Sequence, residues 1–241
     1  MSYALILKRD HDSGRTSGPR GGSELETMQP ALHRLSGLFR ATLCISDLLT
    51  DPLLNERAHR SACLVLYFRE HHDLVQTCAN AAALNTFLLS GPFQGWHPGE
   101  LTYQAMQVHD FPAGNETARS IRNGYGYLVG YEGYPADPVA WVAEYMENHV
   151  SLMQRLPGIS HIEVFTRIEP CVIPSIGLGQ DWMLRNIACF NTRQEMDAAL
   201  HSTARAALLA HRLGMEEHGG DSEHISVSFQ SMEIKARTSD A

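Results

Sequence analysis

At 241 residues, with 44% apolar and 19% charged side chains, the chain can bury the core of one large domain or two small ones. Its formal net charge of −8 argues against a broad nucleic-acid or anionic-membrane surface. The apolar runs fall short of the roughly 18 consecutive residues of a membrane span, and the opening MSYALILKRDHD is too short and too quickly charged for a signal peptide. Five scattered cysteines (Cys44, Cys63, Cys78, Cys171 and Cys189) without a CxxC pair predict buried free thiols in a reducing cytoplasm.

In chain order, residues 3–8 read as a short apolar strand, followed by a Gly-rich polar loop over 10–22 that lacks the Gly-Lys-Ser/Thr of a phosphate-binding loop. Ser23-x-x-Glu26 is a capping box for the first helix, which stops at RLSGL (34–38). Strands are predicted at about 41–48 and at 61–68, then a helix from 70 to about 89, a loop over 90–100 and a strand at 101–109. Residues 111–123 form a linker. The second series opens with a strand at 124–133 and a helix capped by Asp137 with Pro138 in its first position, where a missing N–H costs nothing. That helix stops at RLPGI (155–159). A strand at 159–168, a loop at 171–180 and a strand at 182–190 follow. Thr192-x-x-Glu195 then caps a helix to about 211, and the last strand is 224–232.

The two series are one pattern written twice. Tyr3 falls on Tyr125 and residues 61–68 on 183–190, both at an offset of 122, and the two helix stops lie at an offset of 121. Each copy has the order strand, helix, strand, strand, helix, strand, the ferredoxin-like βαββαβ unit, which leaves one sheet face bare. The expected fold is therefore α+β: two tandem ferredoxin-like halves packed sheet to sheet as an intramolecular, pseudo-dimeric α/β barrel. The halves are residues 1–112 and 124–236, joined by 113–123, with a disordered tail at 237–241.

The helix EYMENHVSLMQRLPG places Trp141, Tyr145, His149 and Leu152 along one buried stripe, with Glu144, Glu147 and Gln154 toward water. A histidine in such a stripe is either a core filler or a general acid–base group, and the N-terminal copy puts Met28 at the matching position. Tyr127 and Tyr131 share a face of the strand before the helix, and Gly126 and Gly130 on the other face either leave room beneath a ligand or mark a bulge or tight sheet–helix packing. On the strand at 182–190, Trp182, Leu184, Asn186, Ala188 and Phe190 share one face, with Asn186 its odd polar member. Arg185 falls on the opposite face, where a salt bridge between the halves is expected ahead of an anion contact.

Tyr145-x-x-x-His149 followed by Leu156-Pro157-Gly158, set between these strands, resembles the EthD family of dimeric α/β barrel proteins over residues 125–232. The resemblance implies a small-molecule enzyme performing cofactor-independent acid–base chemistry of dehydratase, decarboxylase or monooxygenase type on an apolar, aromatic or polyketide-like substrate. His149 would be the general base or acid and Tyr145 its hydrogen-bonding partner. Tyr127, Tyr131, Trp141, Trp182 and Asn186 would line the substrate pocket. The N-terminal half, with Glu24, Met28 and Ser36 in place of Tyr145, His149 and Pro157, is read as scaffold.

Thirteen histidines are present, but no HExxH, His-x-His or Cys/His ligand spacing, so no metal site and no cofactor are expected. His211, His218 and His224 either cluster around the Gly219-Gly220 turn or, as loop histidines usually do, face water. The expected partner is a small apolar or aromatic molecule, with no nucleic acid and no membrane; a fused barrel is also compatible with a homodimer. Two other readings stand beside the enzyme: a non-catalytic barrel that only holds a ligand, and a haem-binding protein with His149 as proximal ligand.

Overall fold

A computed structural model describes residues 1–11, 24–54, 60–80, 82, 84, 101–113, 122–169, 173 and 177–235. The Ser23 half of the first capping box, most of the linker, the loops at 12–22 and 90–100, much of that at 171–176 and the tail lie outside them. In order, the elements are β1 (Ser2–His11), α1 (Glu24–Leu32), β2 (Leu38–Ser46), β3 (Arg60–Phe68), α2 (His71–Ala79) and β4 (Leu101–Pro112). Then come β5 (Asn123–Glu132), α3 (Pro138–Glu144), a π-helical turn (Tyr145–His149), α4 (Val150–Met153), β6 (Ile159–Arg167), β7 (Leu178–Gly179), β8 (Trp182–Phe190), α5 (Arg193–Leu200), α6 (Thr203–Gly214) and β9 (Ser222–Glu233).

Local chemistry sets several boundaries. Asp137 Oδ1 accepts from Ala140 N at 2.9 Å with Pro138 in the first turn, and Thr192 and Glu195 form the reciprocal capping box. Both helix stops end on a glycine in the left-handed region, Gly37 at φ 69° and Gly158 at φ 73°. The helix expected to run unbroken from 193 to about 211 is instead two: Ser202 caps α6 by accepting from Arg205 N, while its hydroxyl bonds Ala199 O. A serine that can satisfy the backbone itself competes with helix continuation.

Eight strands, all paired antiparallel, close into a barrel in the order β1-β3-β2-β9-β5-β8-β6-β4, with β4 returning to β1; β7 adds a short parallel pairing to β4. Strands β1–β4 lie in the order β4-β1-β3-β2, and β5, β6, β8 and β9 in the same order, β9-β5-β8-β6. The two sets do more than face each other, because β2 bonds β9 and β4 bonds β6, leaving neither set an open edge. No described helix is long and apolar enough to cross a membrane.

Three apolar clusters follow from strand alternation. One lies between the first strand set and its helices (Leu5, Leu7, Met28, Leu64, Leu66, Phe68). A second lies between the second set and its helices (Tyr127, Tyr131, Tyr145, Ala188, Phe190). The third fills the barrel itself (Ile6, Cys44, Val65, Phe165, Ile187, Phe229). Gly126 and Gly130 face this interior, where a Cβ would press on Ile187 and on the Trp182 ring at 2.7 and 2.8 Å. The close packing at these glycines is within the barrel, against Ile187 and Trp182, and not between sheet and helix.

Candidate functional site

A cavity of about 310 Å³ lies between the β5–β8–β9 sheet and the helices packed on it. Tyr127, Val129 and Tyr131 from β5 and Asn186, Ala188 and Phe190 from β8 form its floor, because alternate residues of each strand face the helices. Tyr145, His149 and Met153 form one wall, and Arg205, Leu208 and Arg212 of α6 another.

Tyr145 and His149 are not one ordinary α-turn apart. The chain between them is a single π-helical turn, closed by Val150 N on Tyr145 O, five residues back. Such turns recur at functional sites. The imidazole lies stacked on the phenol ring, centroids 4.5 Å apart and 28° between planes, and Trp141 stacks on the other side of Tyr145 at 5.5 Å. The expected hydrogen bond between Tyr145 and His149 is replaced by this stacking. The Tyr145 hydroxyl instead accepts from Asn186 Nδ2 at 2.7 Å, and burial raises its pKa well above the ordinary value, so it stays protonated. Asn186 Oδ1 is buried with no hydrogen-bond partner among the described residues.

His149 has a partner the sequence did not point to. Its Nδ1 lies 3.2 Å from His211 Nδ1, and His211 Nε2 lies 3.3 Å from Glu144 Oε1. With His211 Nε2–H directed at the carboxylate, His211 Nδ1 is left to accept. His149 then donates from Nδ1 and carries its lone pair on Nε2. Burial first, then the neighbouring His211 and the Arg205 and Arg212 charges, hold the His149 pKa down at about 3, so the ring is neutral at physiological pH.

Of the other expected site residues, Tyr131 lines the cavity within an aromatic cluster that includes Trp141 and His218. Trp141 supports this wall from behind and donates Nε1–H to Glu216 O. Tyr127 lines the cavity with its ring, but its hydroxyl donates to Asp51 Oδ2 at 2.8 Å. Trp182 is a correction. The register slips at one end of β8, where Tyr131 faces Leu184 and Glu132 faces Trp182, and this bulge turns the indole to the other side of the sheet. It packs inside the barrel under Arg185, 4.7 Å from the guanidinium carbon, and not in the cavity.

Residues not anticipated are His211, Arg212, Arg205 and Asp51. Asp51 sits in the β2–β3 connection, 7% exposed, and binds Arg205 Nη2 of α6 at 2.6 Å. The only cue in sequence was a helix with His211 and Arg212 in its last turn. His218 and His224 line the cavity as well.

A second polar group sits at one end of the barrel interior. Glu163 accepts from Tyr67 OH at 2.6 Å and pairs with Arg40, while His161 Nε2 lies 3.4 Å from both Glu163 and Asp110. Burial alone would lower the His161 pKa, but hydrogen bonds to Asp110 and Glu163 override it, to about 9. Burial alone would raise the Glu163 pKa, but Arg40 and His161 hold it at about 2. Asp110, His161 and Glu163 offer ligand atoms within 4.8 Å of one another, the one such set among the described residues. Two cations already balance its two carboxylates.

No family model matches the chain, and no curated protein matches it in sequence. Solved structures do match in shape. An anthrone oxidase-like protein superposes with a TM-score of 0.61 at 10% identity, over 100% of this chain and 96% of its own. A monooxygenase-like protein of Fusobacterium nucleatum subsp. nucleatum gives 0.52 at 9% identity, over 97% and 93%. Another from Lactobacillus acidophilus NCFM gives 0.52 at 9%, over 98% and 100%. These matches bear on the fold, which is an α+β barrel of eight antiparallel strands consistent with a dimeric α/β barrel. Such a barrel sets two concave spaces, one outside the sheet under the helices and one inside the ring, and the His149 cavity is the outer one.

Proposed function

We propose that the barrel is an EthD-like enzyme of cofactor-independent acid–base chemistry, with His149 as the group that moves the proton. The observation that carries this is the buried, neutral His149 at the wall of a largely apolar cavity, joined through His211 to the half-exposed Glu144. His149 Nε2 takes a proton from an acidic C–H or phenol. The Nδ1–H of His149 can then pass to His211, whose Nε2 proton faces Glu144. Arg205 and Arg212, which disfavour a charged His149 on its own, favour the enolate or phenolate left behind, so substrate ionisation and base protonation compensate. Tyr145 acts as a positioning residue: its ring fixes the imidazole plane, and its hydroxyl is held by Asn186.

The same reading takes residues 1–112 and 124–236 as tandem ferredoxin-like halves of a duplicated chain, the first a scaffold. The matching strand orders and matching helix stops support it. The aromatic or polyketide-like substrate is supported by the apolar and aromatic lining, by the Tyr145-x-x-x-His149 and Leu156-Pro157-Gly158 resemblance, and by the anthrone oxidase-like and monooxygenase-like neighbours.

Anthrone and simpler phenols are the test substrates. Anthrone carries a methylene acidified by two rings and a ketone, and loss of that proton precedes its reaction with dioxygen to anthraquinone and water. His149→Gln should lower turnover by about 100-fold to 10,000-fold, the usual contribution of a general base. Wild-type turnover in His149→Gln, with the fold intact, would sink the catalytic assignment. Ligand binding without turnover by the wild type would select the holding role, which the already satisfied Tyr127 and Tyr145 hydroxyls favour.

A further inference from the structure

The barrel interior holds its own cavity of about 380 Å³, separate from the outer one and on the opposite face of the same strands. Its middle is apolar, lined by Ile6, Val65, Leu128, Phe165, Ile187 and Phe229. At one end, exposed Asp110, Asn191 and Glu233 open it to solvent beside the balanced Arg40–Glu163–His161 group. Along β8 the inward residues run Cys189, Ile187, Arg185 away from that mouth, since Cys189 is registered with His161.

Arg185 therefore stands deep in the chamber, 3% exposed. Its Nη2 donates to the neutral Gln180 Oε1, its guanidinium lies over Trp182, and its buried Nε has no hydrogen-bond partner among the described residues. It forms no ion pair among the described residues. Lys8 nearby differs, because it pairs with both Asp10 and Glu223. Desolvation lowers the Arg185 pKa, with the more distant Glu223 and Asp10 charges opposing it, yet an arginine keeps its proton. A buried guanidinium without a contacting anion is costly, and buried charges are as a rule paired. The chamber thus combines an apolar body with a buried guanidinium at its inner end that, unlike Arg40 and His161 at the mouth, contacts no carboxylate among the described residues.

The geometry points to the barrel interior as a binding site for an apolar monocarboxylate, its hydrocarbon in the chamber and its carboxylate on Arg185. The cavity is sealed from the outer one by the sheet, so this site is independent of the His149 chemistry.

Isothermal titration with decanoate and naphthoate, each against its neutral alcohol (decanol, naphthalenemethanol), tests the assignment. The wild type should bind at least one carboxylate. Arg185→Leu, which removes a buried unpaired charge and so should fold, should weaken that binding at least about tenfold, as expected for a lost charge-assisted hydrogen bond. The neutral alcohol should bind both proteins alike. Leu128→Trp, which fills the chamber without touching the charge, should abolish carboxylate binding, and it serves if Arg185→Leu fails to fold. The site is refuted if the wild type binds neither carboxylate, or if either variant binds as the wild type does. It is also refuted if His149→Leu weakens binding as much as Arg185→Leu, because the ligand then sits in the outer cavity.

Discussion

His149 and Met28 occupy matching places on the first helix of each strand set, and both are buried, at 5% and 2% exposed. The fold accepts an apolar side chain there, so burial alone does not call for an imidazole. What distinguishes His149 is the chain of groups it joins. That chain has a thermodynamic signature. Because the folded-state pKa lies near 3 and the ordinary value is 6.5, the unfolded chain takes up the proton first. The native state is therefore favoured fully above pH 6.5 and loses stability as pH falls from 6.5 toward 3. A tenfold change in proton affinity corresponds to about 1.4 kcal/mol, so the loss is of the order of a few kcal/mol. Urea unfolding should show His149→Leu gaining on the wild type steadily through that window; parallel pH profiles would mean that His149 titrates normally. The candidate histidine itself was legible in sequence, from its stripe and its helix stop. Its partner was not, because nothing local says that His211, 62 residues on, ends its helix beside it.

Helix stops and caps were the most legible elements, since their chemistry is settled within four or five residues. RLSG and RLPG each close with the same backbone bonds: Arg34 N to Ala31 O and Leu35 N to Leu32 O, matched by Arg155 N to Leu152 O and Leu156 N to Met153 O. Each glycine then takes a conformation that costs an L-residue about 1–2 kcal/mol. At Gly158 an added Cβ would also come within 2.9 Å of the Glu195 side chain, the glutamate of the capping box on α5. Gly158→Ala should accordingly destabilise the fold by about 1–2 kcal/mol or slightly more, read as a lowered urea midpoint with an unchanged slope. An unchanged midpoint would mean that the stop is not under conformational constraint. The π-turn and the bulge of β8 were illegible, because each is one residue of slack absorbed to fit a neighbour. The bulge alone moved Trp182 from the expected pocket to the barrel interior.

At the scale of the molecule, closure of the ring makes each strand set depend on the other. Asp51 expresses this most directly: it leaves the first set to bind Arg205 and the Tyr127 hydroxyl at the wall of the outer cavity. Asp51→Asn removes the counter-charge of a buried arginine, and breaking such a pair costs about 3–5 kcal/mol. Calorimetry should show a large fall in Tm for this variant; a fall no larger than that of a surface substitution would mean that the two sets are not coupled there. The sequence by itself determined the order of the main strands and helices, the two helix stops and the buried helix stripe, because periodicity, caps and stops are local properties. Only the tertiary structure decided that edge strands close a ring, that Trp182 turns inward, that His149 meets His211 and that Arg185 stands unpaired in the interior. Those outcomes depend on which residues of distant strands and helices come to face one another, and a single bulge or turn shifts that register while leaving the local pattern unchanged.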